Sequence, residues 1–222
     1  MNIIPMDIKR FFILTAIDIK LVLRTTKIYA YIPPVAALTV FLGWRFGKQS
    51  IHFFLSGLII IFSMIFSTQF TRINREMAAY SIFPFPIKEL IAAKNLSSLF
   101  CVTGLTIFAF IISAIPLGIG WYSFVNASAL ILFLSLVMVS SGNMISAKLV
   151  NADISYNLLM LNIIQALMAI PAFAIYIFLE GRIGLFLTVI FCFVTAAVIY
   201  MVSFLKTSRM LTNIGEYLLE LE

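Results

Sequence analysis

Polar residues are so sparse along this chain that their positions divide it into elements. Apolar runs at 28–44, 51–70, 96–117, 123–147, 157–179 and 183–205 are each long enough to cross ~30 Å of hydrocarbon with some tilt. Lipid cannot satisfy an open backbone, so each run predicts a helix. The first opens on Tyr29 and Tyr31, carries Pro33-Pro34 near its start and ends at Trp44, which suits an interfacial belt at both ends. Pro116 lies inside the third run, and Pro171 predicts a kink in the fifth. The sixth carries no charge.

Residues 6–25 follow a different pattern. Ile8, Phe12, Ala16, Ile19 and Leu23 recur at helical spacing, while Lys9, Arg10, Lys20 and Arg24 gather on an adjoining face. A first transmembrane helix is one reading. Charges recur too often for it, and a helix lying in the interface, with its basic side toward anionic headgroups, accounts for both faces.

The one long polar interruption is 71–95, TRINREMAAYSIFPFPIKELIAAKN, with Arg72, Arg75, Glu76, Lys88, Glu89 and Lys94. Pro84 and Pro86 each lack a backbone donor and push the preceding residue out of the helical region. The spacing predicts two short helices joined by a rigid elbow, with Pro86 at the first position of the second. A loop built this way can transmit a push.

Composition agrees with the pattern. The chain is 63% hydrophobic and 11% charged, with a mean hydropathy of +1.11, which excludes an ordinary soluble domain. Charge then gives orientation. Of fifteen Lys and Arg, twelve fall on one side of the six-span scheme: Lys9, Arg10, Lys20, Arg24, Lys27, Arg72, Arg75, Lys88, Lys94, Lys148, Lys206 and Arg209. Arg45, Lys48 and Arg182 fall on the other. The positive-inside rule puts both termini and the 71–95 loop in the cytoplasm. The net charge of +6 is thereby topological and implies no nucleic-acid partner.

The sequence thus predicts an all-α polytopic membrane protein. An N-terminal interfacial amphipathic helix (1–27) precedes a six-helix transmembrane domain (28–205), and a cytoplasmic tail (206–222) follows. Pro86, Lys88, Glu89, Leu90 and Lys94, placed where the third span begins, resemble the permease subunits of type-2 ABC transporters. The sequence core of the likeness is about residues 72–97; the topology extends it over nearly the whole chain. The resemblance implies a bacterial cell-membrane exporter subunit that forms half of a pathway beside a second, identical or similar permease subunit. It also implies a coupling helix at 73–81 docked on a separate ABC ATPase subunit, where ATP and Mg would bind. In that helix Arg75 and Glu76 are the expected polar grip, Met77 and Tyr80 the apolar anchors, and Pro84 and Pro86 the elbow. The family often carries a longer re-entrant hairpin between the fifth and sixth spans; here only Glu180-Gly181-Arg182 are clearly polar.

The chain's own chemistry is meagre. Gly43-Trp44-Arg45-Phe46-Gly47-Lys48 has one residue too few for a phosphate loop and no following Ser or Thr, so no cofactor site is expected. His52 is the single histidine and cannot build a His-based metal site. Cys101 and Cys192 lie in apolar runs and read as buried thiols. Ser140-Ser141-Gly142-Asn143 is either helix-packing glue or, through Ser141 and Asn143, the lining of a polar path. Few charges in the spans suit an amphipathic or lipid-like cargo, such as a peptide, lipid or drug. A membrane enzyme or a non-transporting immunity or scaffold protein is the alternative; an enzyme should bring polar groups together at one depth.

Overall fold

A computed structural model describes residues 8–26, 30, 32–47, 50–67, 87–148 and 154–219. The described residues form seven helices and no strand: α1 (Ile8–Thr26), α2 (Ile32–Phe46), α3 (Ser50–Ser67), α4 (Ile87–Leu117), α5 (Trp121–Lys148), α6 (Ile154–Ile183) and α7 (Leu185–Leu219). The spans in Lys88–Leu117, Trp121–Gly142 and Leu185–Arg209 are long and apolar enough to cross a membrane. Large apolar side chains cover the outside of the bundle, among them Phe100, Phe108 and Ile115 on α4 and Phe186, Phe191, Val194 and Leu205 on α7. An apolar surface of that extent is stable against hydrocarbon and not against water. The protein is membrane-embedded.

Helix boundaries depart from the apolar runs in instructive ways. α4 starts at Ile87, so the residues expected to close the polar loop are the first turns of a 31-residue helix. Glu180-Gly181-Arg182, expected as a loop, continue α6 to Ile183. α7 runs unbroken through the expected tail to Leu219. At 1.5 Å per residue it is about 52 Å long, well beyond ~30 Å of hydrocarbon. Hydropathy marks where a helix leaves the lipid, whereas backbone hydrogen bonding decides where it ends. α2 is shorter than its run because Pro33 and Pro34 fit only the first turn, where N–H groups have no intrahelical acceptor.

Three tight turns make hairpins of α2–α3, α4–α5 and α6–α7. Gly118 adopts φ +56 and completes a Schellman cap, in which its N–H reaches the Ile115 carbonyl (3.2 Å) and the Ile119 N–H reaches that of Ala114 (3.2 Å). Gly184, at φ +78, is the whole link between α6 and α7. Only glycine adopts such a φ without a steric penalty. All three tips lie at one end of the bundle. Gly43 near the end of α2 meets Leu117 at the end of α4, and the start of α5 bonds to the end of α6. Trp44 and Trp121 are exposed at this tip end, as an interfacial belt requires.

α5 is the axis, packing against α3, α4, α6 and α7. Of its most apolar window 61% is buried, against 17% for α7, which borders the bundle. The core joins Leu55 and Ile59 of α3, Val102 and Phe110 of α4, and Leu130, Ile131 and Met138 of α5. Phe110, Phe124 and Trp121 stack in sequence from this core to the exposed rim. Several buried hydroxyls donate to the carbonyl four residues back, as Thr39 does to Val35 (2.8 Å) and Thr106 to Val102 (2.7 Å). That bond lets Ser and Thr sit in an apolar bundle without a partner helix.

α1 packs on α4, but not with the stripe drawn from its sequence. Thr15 is buried and Asp18, Ile19 and Leu23 are half-buried, whereas Ile8, Phe12 and Ala16 are exposed with Lys9, Lys20 and Arg24. The seam therefore takes the polar edge of the helix along with part of its apolar stripe, because α4 offers polar partners at that level.

Packing at Gly43 gives a test. A Cβ there would stand 2.9 Å from Leu117 Cδ1 and 3.1 Å from Ile51 Cδ1. Gly43→Ala should cost little, since flexible side-chain ends can give way, whereas Gly43→Leu should destabilise by roughly 1–3 kcal/mol through overpacking. Gly184→Ala should cost about 1 kcal/mol through its positive φ, with open space around it. Gly57→Ala, also in open space but in a helix, should not destabilise. Thermal unfolding in detergent, followed by the fluorescence of Trp44 and Trp121, ranks the four.

Candidate functional site

The end of the bundle opposite the hairpin tips carries the residues to which the sequence points. Arg75, Glu76, Met77, Tyr80, Pro84 and Pro86 lie outside the described residues. The helix that follows them is well defined. Lys88 is exposed, while Glu89, Lys94, Asn95, Ser97 and Ser98 are all buried at 4% or less. An apolar helix would lose several kcal/mol by burying a charge without compensation. Polar groups gather at this level: the Asp18 carboxylate of α1 accepts a hydrogen bond from the Ser97 hydroxyl, while Glu89 Oε2 is buried with no hydrogen-bond partner among the described residues. The same hydroxyl lies 3.0 Å from the Lys94 carbonyl oxygen. Cys101, one turn further, is close enough to feel the Asp18 charge. α1 is therefore fastened to the first turns of α4 by a buried polar seam, reinforced by the apolar contacts of Ile19 and Leu23.

Ser140 and Ser141 lie near the same level. Ser140 donates to the Leu136 carbonyl (2.6 Å), and its own carbonyl accepts a bond from Ser203 of α7. Ser141 is buried and donates to the Met138 carbonyl (3.2 Å). Both hydroxyls thus bond within their own helix, and the link between α5 and α7 is made by the Ser203 hydroxyl on the Ser140 carbonyl. Asn143 lies on α5 one turn on, and its side chain is outside the described residues. α4, α5 and α7 also bury Ser98, Thr103, Ser135 and Thr207, whose hydroxyl oxygens have no hydrogen-bond partner among the described residues.

Two further features were not legible as sites. Between α2 and α4 runs a groove of about 520 Å³ bounded by Ala36, Val40, Phe108 and Ile112, open on the side of the bundle. It suits hydrocarbon and nothing that needs a hydrogen bond. At the tip end, Tyr122 and Asn126 of α5 meet Tyr176 and Glu180 of α6. The sequence separates Tyr122 from Glu180 by 58 positions and gives no motif for them; an isolated glutamate at a run edge was the signal. Among the described residues no three His, Cys, Asp or Glu side chains group as metal ligands.

No protein-family model, no curated protein and no solved structure matches the chain.

The seam between α1 and α4 predicts a cost. Asp18→Ala removes a charged acceptor and strands a buried hydroxyl, which should destabilise by roughly 1.5–3 kcal/mol, whereas Asp18→Asn, which keeps an acceptor, should cost less. Unfolding in detergent, read beside limited proteolysis at the N-terminal segment, checks both the order and the place. Equal stability of Asp18→Ala and wild type would remove the seam from the account.

Proposed function

We propose that this chain is the membrane-spanning permease subunit of an ATP-driven exporter of the type-2 ABC kind, with both termini in the cytoplasm and six spans. One observation carries the reading furthest. In sequence, the polar connector and its expected Pro84/Pro86 elbow come directly before α4, a continuous 31-residue helix that packs against α1, α2, α3, α5 and α7. A displacement at the elbow is thereby delivered to the one helix that touches most of the bundle. Packed interfaces of this kind switch between discrete arrangements and do not deform continuously. ATP binding would close a separate pair of ATPase subunits on the 73–81 segment, and α4 would carry the movement to the pathway shared with a second permease subunit.

The cytoplasmic connectors hold most of the basic residues, and the hairpin tips hold few, which supports this orientation. The exposed basic residues of α1, Lys9, Lys20 and Arg24, suit an anionic leaflet. The apolar groove between α2 and α4 suits a cargo with a hydrocarbon part. A membrane enzyme is the second reading, but Glu180, Tyr122, Asn126 and Tyr176 bond to one another at the tip end and no serine, threonine or cysteine joins those bonds.

Two measurements test the proposal. Met77→Ala with Tyr80→Ala should leave the chain inserted but release a co-purifying ATPase, since truncating buried anchors costs about 2 kcal/mol, roughly a thirtyfold loss of affinity. A double variant that retains its ATPase and transports normally makes the segment a plain connector. Cysteines at Ser81 and Gly120 should respond oppositely to an impermeant reagent in intact cells, with Ser81 protected and Gly120 labelled. The reverse pattern inverts the topology.

A further inference from the structure

Two stripes of side chains border the groove on the side of the bundle. Pro33, Ala37 and Val40 recur at i, i+4 and i+7 on α2, and Phe108, Ile112 and Pro116 recur at i, i+4 and i+8 on α4. The space between them, about 520 Å³, falls within the roughly 300–1,000 Å³ of cavities that hold small ligands. Ala37, Phe108, Ile112 and Pro116 are exposed, so the channel opens sideways to the hydrocarbon around the bundle. The next residue of the α2 stripe is Trp44, 80% exposed at the tip end. At 1.5 Å per residue, Val40 lies about 6 Å below Trp44 and Pro33 about 16 Å, so the channel runs down one leaflet, ~15 Å deep. Arg45 stands beside Trp44, with its guanidinium over the Phe46 ring (5.9 Å). α2 packs against α3 and α4. Neither α2 nor α3 contains Asp or Glu, and Glu89 of α4 lies at the opposite end. Arg45 therefore meets no carboxylate from the helices around it.

We infer that this groove seats one acyl chain of an anionic phospholipid from the tip-side leaflet, with the lipid phosphate at Arg45. Three features select that occupant. The apolar walls accept hydrocarbon and offer a polar ligand nothing. Trp44 marks the headgroup level, so a chain descending past it enters the channel at Val40 and follows the α2 stripe to Pro33. Arg45, exposed and facing no carboxylate, supplies the complementary charge, and a guanidinium grips phosphate oxygens through paired N–H donors. The seat belongs to the bundle and the leaflet around it, and it does not rest on the transport reading.

The full chain, reconstituted in nanodiscs of equal phosphatidylglycerol and phosphatidylcholine and then released into mild detergent, reports its retained phospholipid by native mass spectrometry. Wild type should keep one phospholipid per chain more than Ala37→Phe, which fills the channel. Leu38→Phe, exposed on α2 but outside the channel, should keep that lipid. The lipid lost in Ala37→Phe should favour phosphatidylglycerol by about fivefold, the worth of one basic residue at an anionic surface. Arg45→Gln should retain the lipid and lose the preference. Equal retention in wild type and Ala37→Phe overturns the seat, and a retained dimer in its place gives the groove to a second copy of the chain. An unchanged preference in Arg45→Gln overturns the assignment of the phosphate. Ile112→Trp fills the channel from α4 and decides the matter where Ala37→Phe fails to insert. Neither ATP nor an ATPase enters the measurement, so its failure leaves the transport reading to its own tests.

Discussion

A chain surrounded by hydrocarbon must satisfy its polar groups from within, and this constraint shapes every level of the bundle. It makes the secondary structure wholly helical among the described residues. It turns Ser and Thr back onto their own helices, as at Thr39, Ser56 and Thr106. It also leaves charged side chains with two places to go: the helix ends, or a seam where another helix brings partners. Asp18 and Ser97 meet in such a seam, and Glu180 with Tyr122 and Asn126 makes another at the opposite end.

The two polar seams divide the labour of packing. Apolar contact between α4 and α5 has no preferred depth, because one layer of Leu, Ile and Phe is much like the next. Hydrogen bonds between fixed positions do select a depth. Those at the tip end set α6 against α5, the Ser203 bond to the Ser140 carbonyl sets α7 against α5, and the Asp18–Ser97 bond sets α1 against α4. A bundle in lipid gains little from the hydrophobic effect between helices, so bonds of this kind and close packing, as at Gly43, carry the specificity.

α4 is long and in contact with five other helices, and its first turns are the part held by α1. The tip end is closed by the glycine turns at Gly118 and Gly184 and by the bonds of Glu180 to Tyr122 and Asn126.

By itself the sequence determined that the chain is helical and membrane-embedded, because both follow from the solvent that so apolar a chain requires. It also placed Pro33-Pro34 near the start of a helix, but not the turns at Gly118 and Gly184: the loop expected at Glu180-Gly181-Arg182 is helix, and the chain turns at Gly184. It put a helix start at Pro86, one residue from the observed Ile87, but not the continuity of that helix with the span, nor that of α7 through to Leu219, for a helix continues past the last apolar residue as long as its own backbone bonds hold. The face by which α1 docks escaped it too: Ile19 and Leu23 turn inward with Thr15 and Asp18 while Ile8 and Phe12 remain outside, a choice made by the polar turns of α4. Only the tertiary structure brought Tyr122 and Asn126 to Glu180, because that meeting depends on α5 and α6 packing with their tips at one end. Local pattern fixes what each segment is; long-range packing between segments decides which of their few polar groups find one another.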